Sequence, residues 1–137
     1  MGISEENVKD YIREAGGMPG NGTAVWAVRM PSMINMAVFG PVANLFDLKY
    51  NIIDVTKEGL MVIGVDELGR LRPEHIWFSK ESVNGITVKK GLSAYSLEIA
   101  TKSGTLKYRL GKVMMGSSFH KKNLERALAA LKALNVA

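Results

Sequence analysis

From residue 45 to the C-terminus the chain reads as short apolar runs separated by tight turns, closed by one stretch with helical spacing. Tyr95, Leu97 and Ile99 alternate with Ser96 and Glu98. After a turn at Ser103-Gly104, Leu106, Tyr108 and Leu110 alternate with Lys107 and Arg109. A period of two puts one side of a strand in a core and the other, here Lys107 and Arg109, in water. Ile86 and Val88 alternate with Thr87 and Lys89 in the same way, and Glu74–Phe78 adds a further strand. Leu45–Val55 and Leu60–Val65 flank the turn Lys57-Glu58-Gly59 as a hairpin, and the nearly continuous apolar second run predicts a well-buried strand. Asp66–Arg70 is the next turn. Over residues 118–134, Leu124, Ala127, Leu128, Leu131 and Leu134 form one stripe, with Lys121, Lys122, Glu125, Arg126 and Lys132 off it. Ser117 or Ser118 caps that helix and Asn135 ends it. The pattern predicts a mainly β (α+β) domain, an antiparallel sheet capped by a C-terminal helix.

The first 43 residues read differently. Ser4 can cap a helix over residues 5–15, with Glu5 and Glu6 in its first turn, Val8, Tyr11 and Ile12 on its apolar face, and Gly16-Gly17 at its end. Met18–Gly22 is a loop. Ala24–Val28 fits a strand. Ser32–Phe39 fits a short helix begun by Pro31-Ser32 and stopped by Gly40-Pro41. Met30, Met33 and Met36 recur at a spacing of three, which fits packing, or a segment that binds a partner or another copy. From Ala24 to Phe46 the only charge is Arg29, but Pro31, Asn35, Gly40-Pro41 and Asn44 interrupt the roughly 20 apolar residues that a membrane helix needs. The segment is therefore expected to lie against the sheet or against a second copy, not in a bilayer.

At 137 residues the chain fits one domain with its own core. It has no cysteine, which excludes a disulfide framework, a thiolate zinc site and a cysteine nucleophile, and fits a reducing compartment. The N-terminus lacks the pattern of a secretory signal. The expectation is a cytoplasmic protein with no transmembrane segment. The formal charge is +5 and unevenly spread: residues 86–137 hold ten lysines and arginines against two carboxylates. A basic region of this kind suits anionic lipid, nucleic acid or an acidic protein, or serves only solubility. The speculative anion- or partner-binding set is Lys89, Lys90, Lys107, Arg109, Ser117, Ser118, Lys121 and Lys122.

No catalytic, metal or cofactor constellation is legible. Gly111–Ser118 lies between a strand and a helix, as a phosphate-binding loop does, but Ser117 stands where such a loop requires lysine. The amides at that helix start, with Ser117, Ser118, Lys121 and Lys122, could hold an anion. His75 and His120 lack metal-ligand spacing, and His120 falls on the apolar stripe. A Ser118–His120–acid triad has no support without geometry. Asp66-Glu67 reads as a solvated turn. Trp26 and Trp77 read as core or core-edge residues.

Three stretches resemble the bacterial pleckstrin-homology-like domains of the YokE-like kind. Tyr50–Leu60 is similar to the opening hairpin of that family, Val83–Leu92 to its central strand and turn, and Leu97–Leu110 with the closing helix to its last hairpin and cap. The resemblance covers roughly residues 44–137 and leaves residues 1–43 as an N-terminal helical and apolar extension. It implies a strongly bent antiparallel sheet or partial barrel of about six to seven strands with a helix at one end. It also implies a non-enzymatic binding or protein-interaction role without a cofactor. Eukaryotic relatives often grip phosphoinositides through basic residues of the first hairpin loop; here that loop offers only Lys57 beside Glu58. The alternative is a small basic nucleic-acid-binding domain.

Overall fold

The computed structural model describes residues 2–34 and 36–135, with the side chains of residues 32–34, 36 and 37 outside the description. Helix α1 spans Glu5–Glu14. Ser4 Oγ accepts from the Asn7 amide at 3.1 Å and Asn7 Oδ1 accepts from the Ser4 amide at 3.0 Å, a reciprocal cap that satisfies two otherwise orphaned donors. Seven strands follow: β1 Ala24–Ile34, β2 Tyr50–Thr56, β3 Gly59–Val65, β4 Leu71–Ser79, β5 Val83–Lys90, β6 Ala94–Thr101 and β7 Gly104–Gly111. Helix α2 spans His120–Leu134. The strands form one antiparallel sheet in the order β4-β3-β2-β1-β7-β6-β5, so the bent sheet capped by a C-terminal helix is what the chain adopts. Among the described residues no helix is long and apolar enough to cross a membrane.

β1 holds the sheet together. Its residues Ala24–Val28 pair with β2, and Val28–Ile34 pair with β7, with an irregularity between Met30 and Met33. Residues on both sides of position 43 therefore build one sheet. Where β7 ends, α2 takes over the exposed edge of β1. The Trp26 amide donates to His120 Nδ1 at 3.0 Å, and Asn123 Nδ2 donates to the Ala24 carbonyl at 3.0 Å. At its other end α2 meets the outer strand β5, where the Ile86 amide donates to Asn135 Oδ1 at 2.7 Å. Backbone groups that a strand edge would leave unpaired are thus satisfied by helix side chains.

The two faces of the sheet are covered differently. On the inner face Leu124, Ala127, Leu128 and Leu131 of α2 pack against Val25, Ile53, Leu97, Leu106 and Tyr108. On the outer face Val8 and Ile12 of α1 join Trp26, Ile52, Met61, Ile63 and Phe119. Fully burying an aliphatic side chain stabilises by about 1.5–3 kcal/mol, so each helix is held by several such contacts.

Three local expectations change. Residues 32–34 continue β1 instead of opening a helix, because Met33 and Ile34 find partners at Thr105 and Gly104 of β7, and sheet pairing overrides local preference. A 3-10 segment then runs from Met36 to Asp47, broken at Gly40, whose φ of 58° and ψ of −135° suit only glycine. Leu45 and Phe46 belong to that segment and are buried in the inner core, so β2 begins at Tyr50, not at Leu45. Of the methionine stripe, Met30 is exposed, and the side chains of Met33 and Met36 lie outside the described residues.

Candidate functional site

Register decides which basic residues meet. Lys107 lies opposite Glu98, Arg109 opposite Ser96, and Lys89 opposite Ser96 from the other side. Directly paired residues point to one face, so Lys89, Lys107 and Arg109 share the outer face of β5–β7. Lys90 sits in the row of Tyr95 and Leu110, on the other face at the strand end. Arg109 Nη2 donates to Ser93 Oγ at 3.1 Å, across a hollow of about 350 Å³ that Leu92, Ser96 and Lys107 also line.

The remaining candidates lie at the start of α2. Neither serine is the cap of α2: Phe119 holds that position without a side-chain cap bond, and Ser117 Oγ, two residues earlier, accepts from the His120 amide at 3.0 Å and the Phe119 amide at 3.3 Å. Ser118 is exposed, as is Lys121. Lys122 Nζ lies 3.3 Å from Glu5 Oε1, and Asn123 Nδ2 donates to Glu5 Oε2 at 2.8 Å. Burial pushes the Glu5 carboxyl up, but these hydrogen bonds and the Lys122 charge outweigh it and hold the pKa below the usual value. Lys122 thus helps fasten α1 to α2.

The end of the sheet where these groups gather also carries apolar tips. The turn of residues 91–94 joins β5 to β6, and residues 112–119 join β7 to α2. The Lys112 amide donates to the Ser93 carbonyl at 3.0 Å, so the two loops lie side by side. Leu92 is 99% exposed, Met115 90% and Val113 61%. Lys89, Lys90, Arg109, Lys112 and Lys121 lie in or next to these loops in the chain, and residues 86–97 and 108–124 contain no acid. Large apolar side chains so fully in water on two joined loops of an acid-free, basic stretch mark a candidate interaction surface. The sequence held this signal in the acid-free stretches and in Leu92 and Met115, which fall outside every buried stripe.

A second concavity has no counterpart in the sequence reading. The end of α1, the loop of residues 15–23, the β2–β3 hairpin and β4 enclose a cleft of about 900 Å³. Ile12, Met18, Val55, Met61 and Trp77 give it an apolar lining, and Trp77 at 44% exposure is an open face, not a core residue. Asp54, only 3% exposed, lies in its wall. Asp54 Oδ2 accepts from the Gly20 amide at 2.8 Å. A Cβ on Gly20 would collide with Thr23 Oγ1 and the Val55 carbonyl, so only glycine lets the loop come this close. Burial pushes the Asp54 carboxyl up, and the bonds from Gly20 and Thr23 offset part of that.

Neither histidine is arranged for hydrolytic chemistry with a serine. Both ring nitrogens of His120 are engaged by backbone, Nδ1 accepting from Trp26 and Nε2–H donating to the Gly111 carbonyl, so Ser118 finds no base there. His75 Nδ1 lies 3.1 Å from the Tyr11 hydroxyl oxygen, and the Tyr11 hydroxyl lies 2.8 Å from the Arg72 carbonyl. Burial first, and the Glu74 charge second, push Tyr11 up to about 12, so the phenol stays neutral. Among the described residues no group of three or more histidines, aspartates or glutamates is placed to hold a metal ion. Comparison of the chain with protein-family models, with curated proteins and with solved structures found no match.

Proposed function

We propose that the chain is a non-enzymatic, pleckstrin-homology-like binding module that docks on anionic lipid surfaces through the basic end of its sheet. One observation carries the reading. Leu92, Val113 and Met115 are exposed on two loops joined by the Lys112–Ser93 hydrogen bond, and Lys89, Lys90, Arg109, Lys112 and Lys121 lie in or next to those loops in the chain, with no acid between. Cations draw the end to an anionic surface, and exposed apolar side chains gain only if an apolar phase receives them. The antiparallel sheet closed by a C-terminal helix agrees with the family the sequence resembles. The nucleic-acid alternative is weaker because the aromatics of β6 and β7 are not laid out as a stacking platform: Tyr108 is buried and Tyr95 half-buried.

The test is co-sedimentation with phosphatidylcholine vesicles, with and without phosphatidylserine. Binding is expected only with phosphatidylserine, weakening as salt shortens the Debye length from about 30 Å at 0.01 M to about 8 Å at 0.15 M. A combined Leu92→Ser and Met115→Ser variant should lose about tenfold or more in affinity, since each exchange removes buried apolar area. If the variant binds as well as the wild type, or if only single-stranded DNA and RNA are bound, the lipid reading fails.

A further inference from the structure

The cleft beside Asp54 is independent of the basic end, and its chemistry is the opposite. It is apolar over most of its wall, carries the buried Asp54 carboxylate in its lining, and has the exposed Lys57 and Glu58 of the β2–β3 turn as its other charged lining residues. The donors offered to that carboxylate are few. The Gly20 amide donates to Oδ2. Thr23 Oγ1 lies 3.0 Å from Asp54 Oδ1 and 2.7 Å from the Val55 carbonyl. A hydroxyl has a single proton, so Asp54 Oδ1 shares its one side-chain donor with the Val55 carbonyl. Among the described residues no lysine or arginine forms an ion pair with Asp54. An ionised carboxylate buried with so little compensation is costly unless a cation joins it. Trp77, opposite in the same cleft, offers an exposed aromatic face, and Met18 and Met61 are adaptable apolar contacts.

We infer that the cleft is a binding site for a small lipophilic amine, with its ammonium group at Asp54 and its apolar body between Trp77, Met61 and Ile12. The volume suits a molecule of drug-like size, as pockets of about 300–1,000 Å³ do. The ammonium gives Asp54 Oδ1 a charged donor beside the shared Thr23 hydroxyl and forms a charge-assisted hydrogen bond out of bulk water. Burial pushes the Asp54 carboxyl up, and an ammonium placed beside it would offset that cost.

Three probes with one body and different heads test the assignment: 3-phenylpropylamine, 3-phenylpropanol and 3-phenylpropionate. Each is titrated into the full chain, read by the NMR shifts of the Trp77 indole and the Met18 and Met61 methyl groups. The amine is expected to bind about tenfold or more tightly than the alcohol, and the carboxylate more weakly than either. Asp54→Asn should abolish the preference for amine over alcohol. Trp77→Ala, checked for native thermal unfolding, should weaken amine and alcohol together. Equal binding of all three probes, no binding of the amine, or shifts that spare Trp77 would overturn the inference. None of these outcomes bears on vesicle binding, so this site and the lipid-docking end stand or fall separately.

Discussion

In β3 every residue from Gly59 to Val65 is buried, whereas in β7 Leu106, Tyr108 and Leu110 are buried and Lys107 and Arg109 stand in water. The two strands sit in the same sheet, on either side of β1 and β2. The difference comes from α1. Its Val8 and Ile12 cover the outer face of the first half, where β2 and β3 therefore need apolar residues on both sides. Among the described residues no helix covers the outer face of β5–β7, and charged residues alternate there. The covered half is where the apolar cleft forms, at the margin of the cover. The uncovered half is where cations and exposed loop tips collect. A single asymmetric helix thus sets two surfaces of contrary chemistry on one small sheet.

The largest effect expected from disturbing this arrangement is loss of the cover and the central strand together. Deleting residues 1–43 removes α1 and β1, exposing Ile52, Ile63 and the edges of β2 and β7. Exposed apolar area and open strand edges drive association. Size-exclusion chromatography should show aggregation or a changed oligomeric state. A monomeric remnant with unchanged thermal stability would mean that the two halves do not depend on β1.

How much of this was legible in the sequence follows the same division. Alternation in β6 and β7 and the leucine stripe of α2 are local patterns, visible because only one face is buried. The continuous run of β3 predicted a buried strand, but not that α1 provides the second cover, since a run does not name its neighbours. The far end of β1 is not legible because Pro31-Ser32 and Gly40-Pro41 look locally like helix boundaries, while the pairing that decides lies seventy or more residues away at Gly104 and Thr105. The cleft draws on residues 12–23, 54–61 and 75–77 and on Ala130 of α2, so no single window contains it. Its one local trace is Asp54, a lone carboxylate between Ile53 and Val55.

A smaller effect is expected at the junction of the halves, where His120 bridges Trp26 and Gly111. Burial pushes the imidazole pKa below its ordinary value, and the bond to Gly111 recovers only part. A protonated ring would turn Nδ1–H against the Trp26 amide. The unfolded chain therefore takes up this proton at higher pH than the folded one. The contribution of His120 is complete above about pH 6.5 and is lost as pH falls through the depressed folded value. Urea denaturation between pH 7.5 and pH 5 should show falling stability, and His120→Gln should flatten that slope. An unchanged slope in the variant would place the acid sensitivity elsewhere.

The smallest effect belongs to the open face. Arg109→Glu and Lys107→Glu lie in β7, next to the central strand, yet their side chains leave the core untouched. Exposed substitutions of this kind usually change stability by no more than about 0.5 kcal/mol. The two positions are not equivalent. Arg109 faces Ser96, but Lys107 faces Glu98, so only Lys107→Glu sets two carboxylates directly opposite each other. Like charges across strands cost a few tenths to about 1 kcal/mol. Lys107→Glu should therefore be the more destabilising of the pair in urea denaturation, and adding Glu98→Lys should restore the loss by reversing the pair. The same reversals in vesicle sedimentation act on charge alone, so both should weaken binding while Glu98→Lys restores it in part. If Lys107→Glu and Arg109→Glu were as damaging as a core truncation, the outer face of β5–β7 would have to be covered after all, and the contrast between the two halves would disappear.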